Sequence, residues 1–142
     1  DTYVVGCKLP ESMVYYEHTK EHPDHNSDLI GIYDINAGLD NLNITFGHDE
    51  YLYQVLKQNS DKHHITPKFW DVIRYHSFYP WHSKDEYMYL MKNKDYITLE
   101  NVKLFNEFDL YSKEDTDLEI TDEIKKYYDN LLNEMFKGEL QW

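Results

Sequence analysis

Residues 47–56 read GHDEYLYQVL, a histidine and two carboxylates directly in front of an apolar pattern of helical period. Leu52, Val55 and Leu56 follow His48 by four, seven and eight residues. Those are the offsets at which side chains stack on one face of an α-helix. The spacing predicts a helix from His48 to about Gln58 with His48 on its inner stripe. A histidine there is either a hydrogen-bonded core residue or a ligand.

Working outward, the chain after this stretch reads as further helices. Thr66 caps a second, with Pro67 at its first position and Phe69, Val72, Ile73 and His76 on one face. Ser83, with Glu86 three residues on, has the spacing of a capping box and predicts a third helix through Tyr87, Met88 and Met91. A fourth is expected from about Thr98, with Leu99, Val102 and Phe105 leading to Asp109. The last is the clearest: Thr121 caps it, Ile124, Tyr127, Tyr128, Leu131 and Met135 repeat at helical spacing, and Gly138 ends it. Before the opening stretch, residues 1 to about 46 read as irregular, punctuated by Gly6, Pro10, Pro23, Gly31 and Gly38. No strand alternation rivals these patterns, so the expected class is all-α.

Composition bounds the function. The 142 residues are 41% hydrophobic and 29% charged, ordinary for one globular domain. No apolar run approaches the roughly 20 residues a membrane span needs, and no secretory leader is evident. The net charge of −13 argues against a nucleic-acid surface, which needs clustered Lys and Arg. Cys7 is the single cysteine, so no internal disulfide and no thiolate zinc site can form. Together these features fit a reducing, cytoplasmic setting. The chain starts at Asp1 rather than Met, which reads as a fragment or a processed product.

Three helices each place one ligand-type side chain on an apolar face: His48, His76 and Asp109. Two imidazoles and a carboxylate supply donors that suit iron, manganese or zinc. The structural alternative is that each is a satisfied core residue, and on the residues alone the two readings are level. Other histidines carry less. His18, His22 and His25 have helical spacing, but Pro23 interrupts them and a solvated loop is expected. His63 and His64 are expected at the surface. Asp49 follows His48 directly, and neighbours on a helix diverge by about 100°. No Gly-rich phosphate loop, nucleophile elbow or H-E-x-x-H is present.

The strings NSDLIGIYDINAGLDNLNITFGHDEYLYQVL, IRYHSFYPWH and FNEFDLYSK, with the terminal GELQW and the opening DTYVVGC, resemble the inositol oxygenase family over nearly the whole chain. The match corresponds to the C-terminal half of that family. The resemblance implies an all-helical, HD-domain-like bundle with an irregular N-terminal segment, residues 1–142 being one partial domain. It also implies two irons and cleavage of the myo-inositol ring with O2 to D-glucuronate. Carried over by motif, His48 and His76 look like ligands of one iron and Asp109 like a ligand of the other. Asp1, His76, Ser77 and Lys113 look like residues that meet the substrate. The family's first histidine ligand, its His-Asp pair and a substrate lysine fall upstream of Asp1. The chain alone is therefore expected to be inactive, with inner helical faces left uncovered. The rival classes are a non-catalytic helical interaction module and an HD-type metal-dependent phosphohydrolase.

Overall fold

In the computed structural model, residues 5–27, 31–111 and 119–142 are described. They form five α-helices: α1 (His48–Gln58), α2 (Pro67–Tyr75), α3 (Tyr79–His82), α4 (Asp95–Tyr111) and α5 (Asp122–Met135). Among the described residues there is no strand, only an isolated bridge between His63 and Phe136. None of their helices is long and apolar enough to cross a membrane. The fold is all-α, as the helical periodicity predicts.

The core lies where α2, α3 and α4 meet the irregular N-terminal segment. Val5, Leu39 and Leu42 from that segment pack with Val72, Tyr75, Phe78, Trp81, Leu90, Met91, Leu99 and Val102. Trp81, Phe78 and Val102 are fully buried. A segment with little regular structure must satisfy its buried polar groups otherwise. Two buried carboxylates do this. Asp24 accepts the Gly6 amide at 2.9 Å and the Tyr33 hydroxyl at 3.4 Å. Asp95 accepts the amides of Leu39 and Lys92 at 3.1 and 2.8 Å. Gly6 sits at φ 79°, and a Cβ there would come within 3.2 Å of the Gly31 backbone, so the close crossing requires glycine.

Three local expectations give way to tertiary packing. No helix starts at Ser83, which instead terminates α3. Asp85 and Tyr87 take positive φ, and the ring of Tyr87 packs 5.4 Å from that of Phe78. Seating an aromatic ring against the core outweighs a capping box of polar side chains. His63 is buried, not at the surface: its Nε2 donates to the Leu56 carbonyl at 2.8 Å and its Nδ1 accepts the Ile65 amide at 3.2 Å. α5 stops at Met135, short of Gly138, because the backbone of 135–137 pairs with that of 62–64. By contrast, Thr121 caps α5 as expected, its hydroxyl accepting the Ile124 amide at 3.3 Å.

The C-terminus returns to α1. Asn59 and Gln141 exchange two amide hydrogen bonds, both at 2.8 Å, and Trp142 stacks on Tyr51. No residue of α5 is buried; Tyr127, Tyr128 and Leu132 are more than half exposed.

Candidate functional site

α1 and α2 pack so that the first residue of one lies beside the residue that ends the other. His48 opens α1 behind the extended Gly47, and His76 follows Tyr75 at the C-terminus of α2. Their Nε2 atoms are 3.2 Å apart, with the rings edge to face. Ser77 adds its hydroxyl, 3.2 Å from His76 Nε2 and 3.4 Å from His48 Nε2. Three polar atoms therefore converge on one point at the edge of the α1–α2 contact.

The proton positions follow from the acceptors. His76 Nδ1 lies 2.6 Å from the Ile73 carbonyl, which can only accept, so Nδ1 carries the proton. His76 Nε2 then presents a lone pair toward His48. Fixing one ring nitrogen through a backbone carbonyl is the usual arrangement behind a metal-binding imidazole. The separation fits as well. Two nitrogens bound at ~2.1 Å to one ion and disposed at right-angle to tetrahedral geometry stand ~3.0–3.4 Å apart. A direct hydrogen bond from His48 to His76 would use the same distance. The donor set suits a borderline cation such as iron or zinc.

His48 does not point into the core. It is exposed, while Asp49 and Glu50 in the same first turn are buried with Val55 and Leu56. The helix is rotated so that its apolar stripe starts one residue later than the spacing suggests. Burial raises the Asp49 carboxyl above the ordinary carboxylate range, and its Oδ1 accepts the Glu50 amide at 2.9 Å. Glu50 and Arg74 form an ion pair at 2.6 Å in which both side chains are 11% exposed. Gln54 donates to the other Glu50 oxygen at 2.6 Å, and the Arg74 guanidinium lies over the Tyr53 ring. This clamp fixes α1 against α2 at the level of the histidine pair. From α4, the ring of Phe105 closes on His76 at 6.0 Å.

Of the six residues singled out from sequence, His48, His76 and Ser77 are brought together. Asp109 is exposed on α4, and among the described residues no three or more His, Cys, Asp or Glu gather in a metal-type group. Asp1 and Lys113 lie outside the described residues. The supporting side chains were not legible in the sequence. Glu50 and Arg74 are 24 residues apart with no local pattern linking them. His82, which lies in the quoted string YPWH, is buried, and its Nε2 reaches the His76 carbonyl at 2.8 Å. Burial lowers its pKa, which keeps the ring neutral.

The sequence model of the family described as Myo-inositol oxygenase matches residues 1–142. Similar proteins include an inositol oxygenase of Danio rerio, 45% identical over all of this chain and 52% of that protein. One of Dictyostelium discoideum is 41% identical over all of this chain and 49% of its own length. One of Homo sapiens is 40% identical over all of this chain and 50% of its own length. The chain spans about half the length of the curated relatives it matches.

Proposed function

Since this chain belongs to the myo-inositol oxygenase family, we propose that the polypeptide carrying it cleaves the ring of myo-inositol with O2 to give D-glucuronate. In this reading His48 and His76 hold one of two irons. Asp109 serves the second, and Asp1, Ser77 and Lys113 contact the polyol. Further ligands come from outside the described residues, in keeping with relatives of about twice the length. The observation that carries the reading is the pair of Nε2 atoms 3.2 Å apart with His76 held in its Nδ1–H tautomer.

Bound iron supplies positive charge that acidifies hydroxyls placed against it, together with the electron transfer that chemistry with O2 requires. The chain's own residues orient and shield. The Ile73 carbonyl keeps the His76 lone pair aimed at the pair's midpoint. The Ser77 hydroxyl can donate to or accept from a substrate hydroxyl beside that point, giving a featureless polyol one fixed contact. Phe105 walls the α4 side of His76 with an apolar ring. The Glu50–Arg74 clamp holds the two helices that carry the imidazoles in register.

The test is substitution of each imidazole in the full polypeptide. His48→Ala and His76→Ala are each expected to lower bound iron and to reduce inositol-dependent glucuronate formation by about 100-fold or more. Parent-level iron content and turnover in both variants would overturn the assignment. A non-catalytic helical interaction module draws support from the exposed apolar face of α5. That reading requires both alanine variants to leave partner binding unchanged and the parent to form no glucuronate.

A further inference from the structure

We propose that His82 is a positioning residue for the histidine pair: its imidazole holds the peptide unit joining His76 to Ser77, and so sets the aim of both side chains. The inference rests on the metal-site reading of that pair. α2 ends at Tyr75, and the last carbonyls of a helix lack intrahelical donors. The Tyr75 carbonyl takes the Phe78 amide at 2.9 Å. The His76 carbonyl is met by a side chain instead, His82 Nε2 at 2.8 Å.

A carbonyl only accepts, so His82 Nε2 carries the proton, and Nδ1 is left to accept the Ser83 hydroxyl at 2.9 Å. The ring is 2% exposed, with the Tyr79 ring 4.9 Å away. It projects from α3, which Trp81 and the adjoining Phe78, both fully buried, seat in the core. The 76–77 peptide is thus tied to the buried core of the molecule. That one peptide carries two of the three converging groups, His76 Nε2 and Ser77 Oγ, 3.2 Å apart. The bond from His76 Nδ1 to Ile73 fixes the ring's roll but not the backbone from which the ring hangs. Tilting the 76–77 peptide would move both groups away from His48 together.

The experiment uses the full polypeptide, stripped of metal, with Co2+ as the probe. His82→Gln keeps an N–H at the reach of Nε2, whereas His82→Asn buries the same amide too short to reach. The Gln variant is expected to bind Co2+ at the parent's level with the parent's visible absorption. The Asn variant is expected to bind about 10–100-fold more weakly, the usual loss for an outer-shell partner, with altered absorption bands. In the metal-free Asn variant the Ser77 amide nitrogen resonance also shifts, because its peptide has lost a hydrogen bond. Parent-like Co2+ affinity, absorption and Ser77 resonance in the Asn variant, with only the melting temperature lowered, would reduce His82 to a structural cap and overturn the inference. Should the Asn variant not fold, Ser83→Ala decides: that residue is exposed, and its loss removes the hydroxyl that holds the Nδ1 edge of the ring and so keeps Nε2 turned to the His76 carbonyl. Weaker Co2+ binding with altered bands is then expected, and parent values would overturn the inference. A parent that binds no Co2+ at His48 and His76 would instead overturn the metal-site reading itself.

Discussion

At the scale of single residues, the molecule turns on which buried polar groups find partners. Asp24 and Asp95 are satisfied by backbone amides and hold irregular chain in place. Asp71 is the contrasting case. Burial raises its carboxyl above the ordinary range, with Lys94 and Arg74 opposing the shift. A raised folded-state pKa means the native state binds the proton more tightly than the unfolded chain does. Its contribution to stability is therefore greatest at acid pH and is lost as pH rises through the raised value. Asp71→Asn removes that loss. The difference in melting temperature between variant and parent is expected to move in the variant's favour from pH 4 to pH 7. A difference that stays constant over that interval would contradict the assignment. The residue scale also marks a limit of sequence reading. The spacing puts His48 on the inner stripe, but the structure sets it at the surface beside His76, and its neighbours Asp49 and Glu50 take the buried positions. Periodicity fixes which residues share a face only to within the rotation of the first turn, and packing of α1 on α2 sets that rotation.

At the scale of elements, α1 and α2 are joined by a nearly dry ion pair. Removing one partner of such a pair leaves an uncompensated charge. Glu50→Gln is expected to destabilise the fold by about 3–5 kcal/mol, and Glu50→Gln with Arg74→Met to recover much of the loss. Urea unfolding of the single and double variants tests this; a double variant as unstable as the single one would show that the pair is not an independent clamp. The starts of α1, α2 and α5 followed local rules closely, through Gly47, the Thr66-Pro67 start and the Thr121 cap. The capping-box pattern at Ser83 failed for a physical reason. About 0.5–2 kcal/mol of capping competes with the burial of Tyr87, Met88 and Leu90 in the cluster of Phe78 and Trp81. Ser83 spends its hydroxyl on His82 instead.

At the scale of the whole molecule, burial is uneven. The centre is dense around Trp81, Phe78 and Val102, whereas α5 and the outer face of α4 expose large side chains. Phe108, Ile97, Tyr127 and Leu132 are each more than half exposed. Between α2 and α4, a cavity of about 220 Å³ is lined by Phe69, Val72, Leu104, Phe105 and Phe108. Apolar surface of this extent drives association, which the net charge of −13 opposes. The 142-residue chain on its own is expected to enhance the fluorescence of a hydrophobic dye and to sediment faster as concentration rises, the more so at high salt. A salt-independent monomer that leaves the dye dark would show that these faces are covered.

Period, caps and punctuation are local, so the helical class, most helix starts and the candidacy of His48, His76 and Asp109 were legible in the chain, while Ser77 entered only through the family resemblance of its motif. Motif density along the whole chain also pointed to its family. Tertiary structure alone decided which of those candidates meet. It brought two Nε2 atoms to 3.2 Å, assigned the His76 proton through Ile73, and buried His82 behind the 76–77 peptide. It also joined Glu50 to Arg74 and turned His63 inward. Each of these depends on the relative rotation and depth of separate elements. That is set by the summed packing of residues far apart in the chain, which no local pattern encodes.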